Sequence, residues 1–589
     1  MRRACFAALA FAAITAGAAE APRNEKLHAI FEREFLRAID EHPESATFLG
    51  MPGYDDRLTD LSPAAVARRR AHLKDFIAEL KRFDPATLNT QDRISRDVML
   101  DRLELTELQN ALYGDLPFSE DDDWLPVSSM QGPQNLFPYL ARATSFRTGA
   151  DYGNYVKRLE AIPRQLDQTI ARMRAGMKSG WMPPRAAMTA VPTMFDVFAA
   201  EDVTRSPLWL PFTQFPADVA PAERERWSAE GRRALAGVRA AFARMQRFLL
   251  DEYIPAGRAQ LGASTLPARE YYALQVREKT TTTLTPEEIH RTGLAEVARI
   301  KKAMEEVMAS TDFKGSLADF LKFINSDPRF TFRTAEARLA AYRDIGKRAD
   351  AELPKLFAEL PRLPYGIRAM EAFEGDNSDH YSPGALDGSR AGFFEANVNN
   401  LEKRPSFEME STLLHEAVPG HHLQTARAQE MKDLPRFRRT AWYVAYGEGW
   451  ALYAESLGYE MGFYKDPYQR FGALVNEALR ASRLVVDTGL HTMGWTREQA
   501  IRYMVENAGS NEAYATAEVD RYIVWPAQAL GYKVGELKIK ALRARAKAAL
   551  GDRFDIRRFH NAILDDGALP LTVLEARIDE WIAAEKTRK

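Results

Sequence analysis

Cysteine is almost absent from this chain: Cys5 is the single one among 589 residues, and it precedes an apolar run at the N-terminus. If that run is removed as a secretory signal, the mature protein has no disulfide bond. An exported protein without disulfides depends on its hydrophobic core, and 46% hydrophobic with 28% charged residues is ordinary globular composition. The composition therefore argues against a small disulfide-rich scaffold and against a disordered chain.

A hydrophobic run long enough to span a membrane is also missing. The N-terminus reads MRRACFAALAFAAITAGAAEAPRNEK, in which two arginines precede an apolar run and then small residues that fit an A-x-A cleavage site. The run is shorter than the roughly 20 residues that a transmembrane helix needs. We expect residues 1–19 to be a signal peptide and the mature protein to be periplasmic or secreted, without a stable membrane anchor.

Neither sign of charge is in excess, because the formal net charge is only -2. The sequence contains no basic cluster interleaved with aromatic residues and no glycine-rich phosphate loop. These are the features by which a nucleic-acid-binding protein is recognised. We therefore expect no nucleic-acid partner.

Amphipathic helices are the dominant pattern, with apolar residues three and four positions apart over most of the chain. One helix start is marked in LTPEEIHRTGLAEVARIKKAMEEV, where Thr285 can cap, Pro286 suits the first turn and Glu288 completes a capping box. The pattern predicts a mainly α protein. We divide it into residues 20–280, a helical region forming one wall of a cleft, and residues 281–589, which carry the candidate catalytic site.

A stretch rich in Gly, Pro, Asp and Asn interrupts the helices at residues 376–400, and AGFFEANV within it predicts a short strand. An edge strand can add an extended peptide to its sheet through backbone hydrogen bonds. A small sheet beside a catalytic helix would therefore provide a peptide-binding surface, and Asn397 is a candidate substrate contact.

The motif LLHEAVPGHHLQ begins like the zinc-binding sequence HExxH but departs from its spacing. His415 and Glu416 can serve as a zinc ligand and a general base, but the residue four after His415 is a proline. In a regular helix His422 would lie roughly 10 Å further along the axis, and His421 would point off the face. A two-residue bulge at Pro419-Gly420 would place His421 where the second histidine of HExxH lies. Both His421 and His422 remain candidates.

A third zinc ligand is expected from the segment YGEGWALYAE. Glu448 and Glu455 are seven residues apart, so on one helix they share a face about two turns apart. One could reach the metal and the other could support a histidine or bind substrate. We favour Glu448 as the ligand.

These two motifs resemble the DUF885 proteins of bacteria, with support from DGSRAGFFEANV, RLVVDTGLHTMGWTREQA and EVDRYIVWPAQALGYKVGEL. The family resembles helical zinc metallopeptidases such as angiotensin-converting enzyme, thimet oligopeptidase and the thermostable carboxypeptidases. The resemblance implies a large multi-helix peptidase-like fold with a deep cleft and one zinc ion. By the same resemblance His415, His421 and Glu448 would be its ligands and Glu416 the base.

Further groups could stabilise the transition state or hold the substrate. A donor facing the metal should stabilise the carbonyl oxygen, and the candidates are Tyr522 and His491. Arginine and lysine side chains could hold a terminal carboxylate. The remaining substrate-binding candidates are Arg390, Arg521, Lys533 and Tyr532.

The function predicted from the sequence is an exported zinc metallopeptidase that hydrolyses short peptides as a dipeptidase, carboxypeptidase or oligopeptidase. The alternative is a non-catalytic envelope protein that binds peptides or metal in the same cleft. Glu416 speaks against the alternative, because a binding protein has no need of a general base.

Overall fold

The computed structural model describes residues 21–119, 123–371, 374–375 and 377–588. The predicted signal peptide lies outside these residues. Within them the chain is mainly helical, as the sequence pattern predicted, and no helix is both long and apolar enough to cross a membrane.

The N-terminal part of the chain carries nine α-helices within the described residues. They are α1 (Glu25–Glu41), α2 (Pro43–Leu49), α3 (Pro63–Leu80), α4 (Thr90–Tyr113), α5 (Pro133–Ala143), α6 (Gly149–Ser179), α7 (Asp196–Ala199), α8 (Pro221–Phe248) and α9 (Tyr271–Thr280).

The C-terminal part is also helical apart from one small sheet. Its helices are α10 (Pro286–Ala309), α11 (Leu317–Ser326), α12 (Ala335–Leu356), α13 (Met409–Glu416), α14 (His421–Glu430), α15 (Arg436–Arg439), α16 (Val444–Leu457), α17 (Pro467–Thr492), α18 (Arg497–Ala508), α19 (Glu512–Val524), α20 (Leu530–Leu550), α21 (Ile556–Leu564) and α22 (Leu571–Thr587). The capping box predicted for α10 is confirmed: Thr285 accepts from the backbone of Glu288, whose carboxylate accepts from the backbone of Thr285.

The sheet contains strands β1 (Tyr365–Ala369), β2 (His380–Ser382) and β3 (Gly392–Ala396), in the order β1-β3-β2. The predicted strand AGFFEANV corresponds to β3, the central strand, which pairs parallel with β1 and antiparallel with β2. Strand β2 is therefore an edge, and its outer side faces the end of α13.

Two large hydrophobic cores, among several clusters in the described residues, organise most of the helices. The larger runs from Ile94 to Ile582 and includes α13, α16, α17, α19 and α20, while the second lies within residues 127–253. Helices α16 and α20 cross in close backbone contact, since a Cβ on Gly449 would lie 2.4 Å from the Cα of Gly535. This contact places the first turns of α20 beside Glu448, which precedes Gly449 in α16.

Candidate metal centre

The two motif histidines lie on separate helices because the chain breaks between them. Helix α13 ends at Glu416, the peptide bond between Val418 and Pro419 is cis, and α14 begins at His421. Gly420 packs directly on the first helix, where an added Cβ would lie 1.8 Å from the carbonyl oxygen of His415. The two histidines are therefore separated by a break between two helices, where the sequence suggested a two-residue bulge within one helix.

The break brings His415, His421 and Glu448 together, with one potential ligand atom from each within 4.8 Å of the others. The Oε2 atom of Glu448 lies 3.4 Å from Nε2 of His415 and 3.3 Å from Nε2 of His421. Zinc bonds of about 2.0–2.1 Å at tetrahedral angles would separate two donors by about 3.3–3.4 Å. The two separations from Glu448 match this value, and two imidazole nitrogens with one carboxylate oxygen are a donor set that catalytic zinc sites use.

Glu455 fixes the orientation of His415, the supporting role that was expected of one of the two glutamates. Its Oε1 accepts a hydrogen bond from Nδ1 of His415 at 2.8 Å, which leaves Nε2 facing Glu448. Arg480 lies 3.6 Å from the same carboxylate oxygen. A carboxylate behind a ligand histidine sets the tautomer and makes the ring a better ligand.

The charges in the site place an anion, Glu448, between the two histidines. Burial lowers the pKa of His415, but the bonds with Glu448 and Glu455 outweigh it and raise the pKa to about 9. Burial likewise raises the pKa of Glu448, but His421 and His415 together lower it well below its usual range. Glu448 is therefore ionised and offers a charged oxygen to both histidines.

His422 is not part of this centre. Its Nε2 donates to the carbonyl of Leu363 and its Nδ1 accepts from the hydroxyl of Tyr381, both at 3.0 Å. Burial lowers its pKa to about 4. His491 and His560 are held in the same way, each with one nitrogen on a backbone carbonyl and the other on a neighbouring donor. We call His422, His491 and His560 the neutral histidines.

His421 differs from the neutral histidines because its ring is not held at both nitrogens. Its Nδ1 is buried and has no hydrogen-bond partner among the described residues. Its Nε2 faces Glu448, and its ring packs against Trp442 with centroids 5.5 Å apart. The structure therefore distinguishes the two adjacent histidines by their partners.

Glu416 lies across from Glu448. Its carboxylate oxygens are 4.0 Å from Nε2 of His415 and 4.0 Å from Nε2 of His421, farther than the oxygen of Glu448 is from the same two atoms. Its Oε2 accepts a hydrogen bond of 3.0 Å from the backbone nitrogen of Tyr381, on the outer edge of β2. A carboxylate beside the metal position but outside the ligand set has the placement of a general base.

Tyr532, rather than Tyr522, is the tyrosine nearest the triad. Its ring is nearly parallel to that of His415, with centroids 6.3 Å apart and an angle of 14°. Burial and the charge of Glu448 raise its pKa, so the phenol keeps its proton. The hydroxyl of Tyr522 instead donates to Glu518 at 2.5 Å inside the core.

Four of the other candidates, His491, Lys533, Asn397 and Arg390, use their polar atoms in bonds to other groups of the protein. Both nitrogens of His491 are bonded to backbone groups, and burial lowers its pKa to about 4. Lys533 is fully buried and contacts Glu296, Glu477 and Glu536. The Asn397 amide bonds to loop carbonyls, and Arg390 donates to two backbone carbonyls. Arg521 lies nearer the triad through Tyr532, with its Nη2 3.5 Å from the tyrosine hydroxyl.

Sequence reasoning missed Trp442, which is 49% exposed while packing against His421. It sits on Gly447, where an added Cβ would lie 2.4 Å from the indole ring. The available signal was its position six residues before Glu448, but nothing in the sequence shows that a loop tryptophan covers a histidine from another helix.

The fold and the triad define a large helical protein with a buried His-His-Glu centre that is suited to a metal ion. The chain belongs to the DUF885 family, whose model is described as "Bacterial protein of unknown function (DUF885)" and matches residues 43–578. No curated protein matches the sequence significantly.

Two solved structures share this fold. The "putative lipoprotein" from Colwellia psychrerythraea is 28% identical with a TM-score of 0.89, and the match covers 95% of this chain and 99% of that one. A "putative lipoprotein of unknown function" from Shewanella oneidensis is 17% identical with a TM-score of 0.69, covering 93% and 99%. Both neighbours are described as putative lipoproteins, and neither description names a reaction.

Proposed function

We propose that this protein is an exported zinc-dependent metallopeptidase that hydrolyses short peptides. The observation that carries the proposal is the convergence of His415, His421 and Glu448 at donor separations of 3.3 and 3.4 Å, with Glu416 4.0 Å from both histidines. Two histidines and a carboxylate form a common catalytic zinc set. A general base beside an open coordination position distinguishes a hydrolytic site from a structural one.

Zinc bound by this triad would polarise the peptide carbonyl and lower the pKa of the attacking water. Glu416 takes the proton from that water and returns it to the nitrogen of the leaving amine. Its hydrogen bond from the Tyr381 backbone fixes the direction of the carboxylate. The neutral phenol of Tyr532 is the best-placed donor to the carbonyl oxygen in the transition state, in place of Tyr522 or His491.

The edge strand supports a peptide as the substrate. Strand β2 pairs with β3 on one side only, and the Tyr381 backbone nitrogen on its outer side already bonds to Glu416. A peptide laid along this edge would bring its backbone next to the catalytic carboxylate. His415 and His421 are both buried, which favours short, extended substrates over folded proteins.

The test combines metal analysis with the Glu416→Gln variant and a panel of dipeptides and oligopeptides. We expect about one zinc per chain in both proteins, and a loss of cleavage of at least about 1000-fold in the variant alone. Glu402→Gln, at an exposed glutamate outside the site, is the matched control and should retain activity.

Two results would decide against the proposal. Failure of the wild type to take up zinc under conditions that load other zinc enzymes would exclude the metal centre. A wild type that binds zinc and peptides without cleaving any of them would instead support the non-catalytic binding function.

A further inference from the structure

We infer that Arg521 and Arg483 form a binding site for the C-terminal carboxylate of the substrate, next to Tyr532. The inference rests on the proposed function and narrows it to peptides with a free C-terminus. It would make the protein a carboxypeptidase or dipeptidase rather than an oligopeptidase that acts far from either end.

The two arginines share a single carboxylate. Nη2 and Nε of Arg483 donate to Oε2 of Glu518 at 2.8 and 3.2 Å, and Nη1 of Arg521 lies 3.1 and 3.3 Å from its two oxygens. Both guanidinium groups are always charged. The cluster of Arg483, Arg521 and Glu518 therefore contains two positive charges and one negative charge.

Donor capacity remains after these bonds are made. Nη1 of Arg483 is buried and has no hydrogen-bond partner within the described part of the chain. Among the described residues, the hydrogen bonds of Arg521 Nη2 go to neutral oxygens, those of Gln528 and the Tyr532 hydroxyl. An unpaired buried cation is costly unless an anion or hydrogen-bond acceptors complete its surroundings. A carboxylate, which accepts two parallel bonds from arginine, has the required charge and geometry.

The neighbouring acidic groups do not supply this anion. Glu448 faces the two histidines of the triad. Asp487 accepts from the Tyr272 hydroxyl and the Ala527 backbone, and burial raises its pKa to about 7. Among the described residues Glu518 is the carboxylate paired with both arginines, so we assign the complementary negative charge to a bound ligand.

The arginines are close enough to the triad to hold the end of a short peptide. The Arg483 guanidinium lies 4.5 Å from the Tyr532 ring centroid, which lies 6.3 Å from that of His415. The guanidinium is thus at most about 11 Å from the ligand histidine, the length of about three extended residues. Arg521 keeps 13% of its side chain exposed and can be reached by a ligand.

The experiment measures binding and cleavage of Phe-Ala-Leu and of the same peptide with a C-terminal amide. Binding is measured by calorimetry on zinc-loaded protein carrying Glu416→Gln, so that it does not depend on turnover. We expect the acid to bind at least about tenfold more tightly than the amide, and kcat/KM of the active protein to favour it by about 100-fold. Adding Arg521→Met should reduce both preferences to less than about threefold.

Arg497→Met is the matched control, because Arg497 makes a two-bond pair with Asp520 on the neighbouring surface. It should leave both preferences unchanged. Zinc content and unfolding temperature are measured for every variant, and Arg521→Lys, which keeps the charge without the planar fork, should retain an intermediate preference.

The outcomes separate this inference from the proposed function. Equal binding of acid and amide, or a preference that survives Arg521→Met because the carboxylate binds the metal directly, would overturn the inference while leaving a metallopeptidase in place. Selective binding of the acid without cleavage by the active protein would uphold the carboxylate site and reject the peptidase.

Discussion

Replacing Gly420 by alanine is expected to destroy the metal centre without touching a ligand. The φ angle of Gly420 is -75°, so alanine meets no penalty for a left-handed backbone. The obstacle is space, because the added Cβ would lie 1.8 Å from the carbonyl oxygen and 2.5 Å from the carbonyl carbon of His415. Both are backbone atoms of α13 and cannot rotate away.

The displacement can be estimated from these distances. Real Cβ contacts are essentially never shorter than 3.0 Å, so α13 and α14 must separate by about 1.2 Å. Metal sites tolerate deviations of about 0.2 Å in ligand distance. A shift several times larger, applied between His415 and His421, should lower zinc affinity by at least about 100-fold. Overpacking of this kind should also reduce the free energy of unfolding by about 1–3 kcal/mol.

Zinc affinity is measured by competition with a chromogenic chelator, and stability by denaturant unfolding of the metal-free protein. The matched control is Gly237→Ala, at an exposed position of α8 where the nearest atom to the added Cβ is 4.0 Å away. That change should be neutral or stabilising by about 0.5–1 kcal/mol. Unchanged zinc affinity in Gly420→Ala would refute the view that this contact sets the separation of the two histidines.

Three further predictions test other parts of the structure. His421→Asn should abolish zinc binding while His422→Asn retains it, measured as zinc per folded chain; loss of zinc in both would contradict the assignment of the two rings. Trp442→Ala should lower kcat/KM about tenfold for peptides with an aromatic residue at the cleaved bond but not for alanine peptides, and an equal loss for both would assign the indole a structural role. The neutral histidines have folded pKa values of about 3 to 4, below the unfolded value of about 6.5. The free energy of unfolding should therefore fall as the pH decreases from about 6.5 to about 4. The expected slope is up to about 1.4 kcal/mol per pH unit for each histidine. Urea unfolding at several pH values should show a shallower slope for His560→Gln, and an unchanged slope would mean that this ring is not neutral in the folded state.

The sequence predicts local structure well because the signals are local. The capping box at Thr285 is encoded by residues only three positions apart. The strand β3 is likewise encoded within its own short segment. Strand β1 was not predicted, and its residues are partly exposed without the alternation that marks a half-buried strand. The protein's helical class therefore follows from the sequence, whereas the sheet order does not.

The site was predictable only where it depends on spacing along one segment. The motif points to His415 and Glu416, and a bulge at Pro419-Gly420 favours His421 without excluding His422. The choice between Tyr522 and Tyr532 depends on which face of α19 or α20 meets α13, and a single sequence gives no distance between helices. The burial of Lys533 could not be predicted from the sequence either, because its three carboxylate partners come from three helices, α10, α17 and α20.

Glycines determine how closely neighbouring groups approach the elements that carry the ligands. This accounts for the two glycines, Gly447 and Gly449, on either side of Glu448. Gly447 leaves room for the indole of Trp442, and Gly449 lets α20 approach until its backbone touches that of α16. Gly420 performs the same function between α13 and α14. These contacts join backbone to backbone or backbone to a packed ring, so they do not require a metal ion. The triad is therefore preorganised by the fold, and a zinc ion would bind without first ordering its ligands, unlike the small metal domains whose folding depends on the ion.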